Sequence, residues 1–170
     1  ANTPGLNLGE PEKKMGWKGS DTRSIFFDNM KIPSTNILGN TQKGFNQFLE
    51  TLTGGRITIA ALALGISQGA YNLALNYSQE REAFGKKINK FQGVSFKLAD
   101  MATQIEATRH MVYNTAWLKD NNNSIIKEAA MAKLFSSEVA MKITTEAIQI
   151  HGGYGYIREY NVERFFRDAK

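Results

Sequence analysis

Apolar residues recur with the period of an α-helix over most of this chain, and this pattern constrains the fold most. The pattern begins near Thr41, continues to about Glu82, resumes from about Gln92 to Lys119, and resumes again up to about Ile150. Positions i, i+3, i+4 and i+7 share one face of a helix, so each segment has an apolar face to bury. Only short turn-like stretches separate the segments, which predicts antiparallel neighbours in a helical bundle.

Glycine pairs mark two special points in these helices. Gly54-Gly55 lies inside the first segment, where each glycine costs about 1 kcal/mol relative to alanine, and we expect one long helix in which the pair is the place for a kink. Gly152-Gly153 ends the third segment, and a charged, aromatic helix begins shortly before Lys170. Three helices leave one side of a bundle open, so we expect a fourth helix to continue beyond Lys170. Asn123 or Ser124 is expected to cap the third helix.

Residues 1–40 have a different character from the rest. They hold all three prolines and sustain no helical period, and residues 23–33 mix apolar and polar side chains in the manner of short strands. Two or three strands are marginal alone in water, so this segment is expected to complete a sheet built elsewhere. The predicted fold is mainly α. It is an incomplete four-helix bundle with antiparallel up-and-down topology over residues 41–170, preceded by a β-rich segment over residues 1–40.

Composition argues against several classes of function. The chain has no cysteine and two histidines far apart in sequence, so neither a disulfide framework nor a metal site is expected. The lack of cysteine fits a reducing compartment. The net charge is +5, but the basic residues are interleaved with acidic ones along the predicted helices, which argues against nucleic-acid binding. No run of about eighteen uncharged apolar residues occurs, so no membrane span is expected.

The first candidate ligand-binding corner follows the first helix. Arg81 offers a planar fork of donors that suits a phosphate, Phe84 offers a flat face for a ring, and Gln92 offers an amide that both donates and accepts. Together they could hold a phosphorylated aromatic cofactor. On the residues alone, a structural explanation is simpler: a cation favours a helix C-terminus, and Phe84 would cap the core.

Two further candidates involve the glycine pairs. Gln149 lies one turn before Gly152-Gly153, so its amide could reach a ligand that also touches bare backbone, while His151 is read as a helix-end cation or a packed ring. Arg56 follows Gly54-Gly55 within an apolar helix, and a buried arginine must be paired. Its partner would be a carboxylate in a structural salt bridge, or a bound anionic or carbonyl ligand.

Taken in order, these pieces resemble the acyl-CoA dehydrogenase family. The resemblance covers nearly the whole chain and rests on the order and spacing of short motifs, each of which is weak alone. The motifs are Met15-Gly-Trp-Lys-Gly-Ser-Asp-Thr-Arg23, Phe26-Phe27-Asp28 before Ile32-Pro33, Gly54-Gly55-Arg56-Ile57, Arg81-Glu82-Ala83-Phe84-Gly85-Lys86, Phe91-Gln92, Gln149 through Gly153, Val162-Glu163-Arg164 and Arg167-Asp168-Ala169-Lys170.

The resemblance implies an architecture and a cofactor. Enzymes of this family have an N-terminal helical domain, a middle β-domain and a C-terminal four-helix bundle; they bind FAD and are usually homotetramers, arranged as dimers of dimers. This chain is similar to the tail of the β-domain, residues 1–40, and to the bundle domain, residues 41–170, truncated before its last helix. The expected location is the cytoplasm of a bacterium or the mitochondrial matrix of a eukaryote.

The resemblance also implies a reaction. Family members oxidise an acyl-CoA thioester to the trans-2-enoyl-CoA: a glutamate removes the α-proton, the β-hydrogen leaves as hydride to flavin N5, and the electrons pass to electron-transfer flavoprotein. Donors around the thioester carbonyl oxygen meet the growing negative charge, and a base in a dry pocket has its pKa raised toward the working pH. An unbranched short- or medium-chain acyl group is the expected substrate.

The implied cofactor contacts carry over by position in the sequence. Arg81, Phe84 and Gln92 would contact the FAD of a neighbouring subunit. Gln149 and Gly153 would contact its adenosine-diphosphate part, likewise across the dimer. These assignments favour the ligand-binding explanation of each corner over the structural one.

The catalytic base is where this chain departs from the family pattern. Most members place the glutamate shortly after the Arg-Asp-Ala-Lys motif that ends here at Lys170. A minority place it directly before the arginine of the first bundle helix, where this chain has Gly55 before Arg56. We therefore expect no catalytic residue in this chain, a base downstream of Lys170, and an inactive fragment. Arg56 would lie near the acyl-CoA pocket.

Two other functions remain open at this point. A related flavoprotein oxidase or monooxygenase would keep the fold and use oxygen, so slow reoxidation in air after reduction by an acyl-CoA would argue against it. A non-catalytic helical module that docks on a partner predicts a colourless full-length protein.

Overall fold

The computed structural model describes residues 3–170, which form four α-helices and two short antiparallel strand pairs. The elements in chain order are β1 (Leu6–Leu8), β2 (Ile25–Phe27), α1 (Gly44–Glu80), β3 (Glu82–Ala83), β4 (Lys86–Lys87), α2 (Gln92–Asp120), α3 (Ile126–His151) and α4 (Val162–Ala169). Short 3₁₀ turns cover Ser34–Asn36, Thr41–Lys43, Ile88–Lys90 and Gly152–Tyr156. The predicted fold class, an incomplete helical bundle preceded by a short β-rich segment, is confirmed.

The segment before the bundle contains one antiparallel strand pair. Contacts divide the chain into two compact units between Glu50 and Thr51. In the first unit, Leu6 pairs with Phe27 and Leu8 with Ile25, and the apolar side chains of β2 are exposed. The assignment of residues 1–40 to the tail of a larger β-domain stays a prediction.

The first helix runs without a break through its glycine pair. Residues 54 and 55 are helical, and the Thr58 hydroxyl donates to the Gly55 carbonyl at 2.8 Å. The buried positions of α1 are mostly small residues: Ile57, Ala60, Ala63, Leu64, Ser67, Ala70, Ala74 and Ser78. Four of them, Ala60, Leu64, Ala70 and Ala74, share one core with Leu98, Met101, Ile105 and Val112 of α2 and with Val139, Ile143 and Ala147 of α3. Ile57 packs in a second, smaller cluster with Ile125 and Ala129.

The cap predicted for the third helix is wrong. Ile125 occupies the N-cap position, and no side chain caps the helix there. The side chain of Asn123 is instead directed toward the end of α2, where its amide nitrogen donates to the carbonyls of Leu118 and Asn121, both at 3.3 Å. Ile125 is 8% exposed and packs with Ile57. Apolar burial therefore places the start of α3 without a capping hydrogen bond.

The fourth helix begins as the sequence predicted. Val162 is fully buried at its first position, and Phe165 packs against the core. Glu163 and Arg167 form a two-pronged ion pair, with Nε–Oε2 and Nη2–Oε1 distances of 2.6 and 3.0 Å. This pair holds the pKa of Glu163 below its ordinary value, chiefly through the hydrogen bond from Arg167.

Length and composition alone would allow one helix to cross a membrane. Within residues 3–170, Thr41–Glu80 meets that test, and a third of its most apolar window is buried inside the protein (33%). Core helices of soluble proteins meet the same test, so this is weak evidence for a span. The expectation of no membrane span stays a prediction.

Close contact between α1 and α4 gives a test of the packing. A Cβ at Gly69 would lie 2.5 Å from Cε1 of Phe165, whereas a Cβ at Gly65 would meet nothing within 4 Å. We expect Gly69→Ala to destabilise the protein by about 1–3 kcal/mol through overpacking. Gly65→Ala, the matched control in the same helix, should stabilise it by about 0.5–1 kcal/mol. Denaturant unfolding measures both, and equal effects of the two variants would contradict this packing.

Candidate functional site

A cleft of about 490 Å³ lies where the ends of α1 and α3 meet. Tyr77 and Arg81 line it from the end of α1, and Ile88 from the turn before α2. The last turn of α3 and the segment after it supply the opposite wall, including His151, Gly153 and Tyr154. The cleft therefore joins one predicted ligand corner to the other.

A tight hairpin positions Arg81 at the cleft. The Arg81 backbone N–H still donates to the Tyr77 carbonyl at 2.8 Å, and its carbonyl accepts from Ile88 N–H at 2.9 Å. Between these points the chain reverses through a two-residue turn, with φ of +50° at Phe84 and +78° at Gly85. Positive φ at both central residues is the mark of a type I′ hairpin turn. Phenylalanine rarely adopts it, so Phe84 is held in an uncommon conformation.

An aromatic stack forms one wall of the cleft. The rings of Tyr77 and His151 lie face to face, with centroids 4.4 Å apart and planes 21° from parallel. Tyr160 meets both rings edge-on, at 6.0 and 6.1 Å. Tyr154 lies 5.1 Å from Tyr160, and the Arg81 guanidinium sits 5.5 Å above the Tyr154 ring. The arginine thus lies against an aromatic face.

His151 is a packed, neutral ring rather than a helix-end cation. The residue is 5% exposed, and its Nδ1 lies 2.7 Å from the Ala147 carbonyl oxygen. A carbonyl only accepts, so Nδ1 carries the proton in the neutral ring. Burial lowers the pKa of His151, although its bond to Ala147 opposes the shift. Of the two structural explanations offered by the sequence, the packed ring is the one found.

Of the two glycines after α3, only Gly152 has a backbone conformation that favours glycine. Gly152 has φ +60° and ψ −137°, a backbone conformation that residues with a Cβ rarely adopt. Gly153 does not have positive φ, and a Cβ built there would meet no atom within 4 Å. Neither backbone strain nor packing within the described residues therefore requires glycine at 153. Its bare backbone faces the cleft and permits a close approach.

Comparison with known proteins identifies the lineage. The family described as "Acyl-CoA dehydrogenase, C-terminal domain" matches residues 42–170. The chain belongs to the acyl-CoA dehydrogenase family.

Relatives match it along almost its full length. A probable acyl-CoA dehydrogenase of Bacillus subtilis, YngJ, is 54% identical over 169 residues, which are 99% of this chain and 44% of the relative. The structure of butyryl-CoA dehydrogenase from Megasphaera elsdenii is 50% identical with a TM-score of 0.97, over 99% of this chain and 44% of that one. The CarC subunit of the caffeyl-CoA reductase-Etf complex of Acetobacterium woodii is 46% identical over 98% of this chain and 44% of the relative. The chain thus spans less than half the length of these acyl-CoA dehydrogenase relatives.

Only two of the residues expected to bind the cofactor of an acyl-CoA dehydrogenase line the cleft. They are Arg81 and Gly153. Gln149, in the last turn of α3, and Gln92, at the start of α2, are exposed outside the cleft. Phe84 is 95% exposed at the hairpin tip, with its ring edge-on to Phe91 at 6.3 Å. The structural explanation of Phe84 as a cap of the core is therefore wrong.

Arg56 lies far from the cleft. It is on α1, roughly 36 Å from the end of that helix at the usual rise per residue. Its side chain is exposed, so the expectation of a buried, necessarily paired arginine is wrong. The helix segment around it is apolar in composition, but position 56 faces away from the core that Ile57 enters.

The aromatic wall is not predicted from the sequence. Tyr77, Tyr154 and Tyr160 are not among the candidate residues named above. The Tyr-rich run after Gly153 was the available signal, since tyrosine combines a ring with a polar tip. In the part of the chain that the structure describes, no three His, Asp or Glu side chains are grouped to hold a metal ion.

The neutral state of His151 predicts a pH dependence of stability. Its pKa is lower in the folded protein than the ordinary value of about 6.5, so the unfolded chain binds the proton more readily. Its contribution is complete above that value and is lost as the pH falls through and below it. We expect His151→Phe to flatten the fall in unfolding free energy between about pH 7 and 5. His110→Gln, at the other histidine, which is exposed, should leave the slope intact; an equal flattening in that control would assign the effect to His110 instead.

Proposed function

We propose that the full-length protein is an FAD-dependent acyl-CoA dehydrogenase, and that the cleft holds the adenosine-diphosphate part of FAD. The observation that carries the proposal is the meeting of Arg81 with the bare backbone of Gly153 in one cleft. Family membership supports the oxidoreductase class. The relatives named acyl-CoA dehydrogenases support the reaction.

The residues present fit such a nucleotide. Arg81 carries donors for a phosphate, and its place against the Tyr154 ring orients the guanidinium. Gly153 lets a ligand approach a backbone that no side chain shields. The rings of Tyr77 and Tyr154 and the side chain of Ile88 supply flat and apolar surface for a base or ribose. The cleft thus combines one cation, open backbone and aromatic walls.

The exposed residues fit a contact between subunits. Phe84 lies at the tip of the hairpin, where it is 95% exposed and has positive φ. Packing within its own bundle does not explain this position. We propose that Phe84, Gln92 and Gln149, together with Arg81 and Gly153 of the cleft, contact the FAD of a neighbouring subunit in a homotetramer. A ring held outside its own fold is then buried by the partner.

The chemistry supplied by FAD, when bound, is acceptance of the substrate's β-hydrogen as hydride while the trans-2-enoyl-CoA forms. The residues described here would retain and orient the nucleotide. Arg56, exposed on α1, is proposed to lie near the acyl-CoA. We propose none of the cleft residues as the base that removes the α-proton, because this cleft is taken to hold the adenosine-diphosphate part of FAD and not the acyl-CoA.

The α-proton therefore needs a base from another part of the protein. Residue 55, one position before Arg56, is a glycine and carries no carboxylate. We propose that a glutamate beyond Lys170 is the base. These 170 residues would then be inactive alone, because binding elements without a proton acceptor do not complete the reaction.

The names of the relatives favour a short acyl chain and an electron-transfer partner. The Megasphaera elsdenii protein is named butyryl-CoA dehydrogenase, and CarC is a subunit of a reductase-Etf complex. We propose an unbranched short-chain acyl-CoA as substrate and electron-transfer flavoprotein as electron acceptor, in the cytoplasm of a bacterium or the mitochondrial matrix. CarC also raises a second candidate, reduction of an enoyl-CoA, which is the same chemistry in reverse.

The purified full-length protein tests the reaction. We expect it to be yellow, and butyryl-CoA added without oxygen should bleach the flavin absorbance, with slow recovery in air. Replacement of the first glutamate beyond Lys170 by glutamine should abolish the bleaching and leave the flavin content unchanged. Rapid reoxidation by air would favour an oxidase, and a protein that stays colourless when offered FAD would contradict the proposal.

The two glycines after α3 provide a matched pair for cofactor binding. Gly153→Ala should leave unfolding unaffected, because its Cβ meets open space, but should raise the Kd for FAD by about tenfold, since the methyl group enters the nucleotide's place. Gly152→Ala should cost about 1–3 kcal/mol of stability through its backbone conformation. Flavin fluorescence titration and denaturant unfolding measure the two effects. Unchanged FAD affinity in Gly153→Ala would remove this glycine from the site.

A further inference from the structure

His151 brings a hydrogen-bond acceptor to a cleft where Arg81, the one charged side chain among its described lining residues, only donates. The side chain lines the cleft beside Gly153 and Arg81. Arginine only donates, and so does a backbone N–H. A ring nitrogen with a free lone pair binds a donor group of a ligand, whereas an arginine binds an acceptor group.

One hydrogen bond fixes which nitrogen holds that lone pair, and two ring contacts hold the imidazole in place. The Ala147 carbonyl, 2.7 Å from Nδ1, requires a proton on that atom. The Tyr77 ring covers one face of the imidazole at 4.4 Å, and Tyr160 meets it edge-on at 6.1 Å. The ring is therefore held in place, and in its neutral form Nε2 is the acceptor.

The groups around His151 favour this neutral form. The ionisable side chains that face it or share its cleft are Tyr77 and Arg81 from the end of α1, and Tyr154 and Tyr160 from the segment after α3. None of these is a carboxylate that would stabilise an imidazolium, and the guanidinium would repel one. Burial acts in the same direction.

We propose that His151 recognises the nucleoside part of the bound nucleotide, by accepting at Nε2 a hydrogen bond from an amino or ribose hydroxyl group. This inference rests on the proposed function, because it takes the cleft to be the site of the adenosine-diphosphate part of FAD. The two side chains would then bind different parts of the nucleotide. Arg81 takes the phosphate, and His151 takes a donor of the nucleoside.

Binding of nucleotide analogues to the full-length apoprotein tests the inference. The probes are ADP, inosine diphosphate, which has an oxygen in place of the base's amino group, and 2′-deoxy- and 3′-deoxy-ADP, which each lack one hydroxyl. Calorimetry should show that one of the three analogues binds about fivefold more weakly than ADP, as expected for one lost hydrogen bond. The affected analogue identifies the donor.

His151→Phe keeps a ring against Tyr77 and removes both nitrogens. In this variant we expect ADP to bind about fivefold more weakly and the affected analogue to lose its disadvantage, because the acceptor is gone. A purely structural role would weaken all four probes by the same factor and leave the discrimination intact, which would overturn the inference. Arg81→Gln is the control: it should weaken all four alike and preserve the discrimination.

The pH dependence of ADP binding gives a second, independent readout. Protonation of Nε2 removes the acceptor, so wild-type affinity should fall as the pH is lowered from 8 to 5.5. His151→Phe should show a smaller fall, which comes from protonation of the terminal phosphate of ADP. Affinity that rises in the wild type at low pH would mean that an imidazolium meets the phosphate, and would overturn the assignment. If the wild-type protein retains FAD but His151→Phe does not change the affinity for ADP or its analogues, this inference alone is overturned. If the wild-type protein binds neither FAD nor ADP, the proposed function is overturned as well.

Discussion

Close approach of the helices through small side chains is the constraint on which the bundle depends. Alanines occupy fully buried positions on α1 and α3, at residues 60, 70, 74, 129 and 147. The buried hydroxyls among them are satisfied within their own helices: Ser67 donates to the Ala63 carbonyl and Thr144 to the Ala140 carbonyl, both at 2.8 Å. These two hydroxyls need no polar partner on another helix, so close apolar packing, and with it a short helix spacing, is possible at these positions. The cleft inherits this spacing, because its walls are the ends of α1 and α3.

Most of the bundle could be predicted from the sequence because its helices are long and periodic. The glycine stop at Gly152 and the ends of α2 lie where the apolar period and the turn residues put them. The start of α3 was mispredicted because Ile125, a poor capping residue, is buried there. Capping preferences amount to about 1 kcal/mol, and burial of one isoleucine side chain contributes more.

The candidate site could be predicted only in part. Arg81 and Gly153 follow the ends of helices, so chain order and antiparallel packing bring them together. The stack of His151 on Tyr77 depends on the relative rotation of two helices, which periodicity does not specify to one residue. The exposure of Phe84 could not be anticipated either, since apolar character predicts burial. The burial of Arg56 was wrongly predicted for a related reason. A helix of mostly apolar composition can still have single positions that face solvent.

The packing of the bundle does not require glycine at position 55. This glycine sits within a continuous helix, and a Cβ there meets no atom of the described residues within 4 Å. Alanine can therefore replace it without repacking the bundle, and a helix interior favours almost any residue over glycine. The backbone of α1 would keep its course after such an exchange, so this helix leaves residue 55 open to variation.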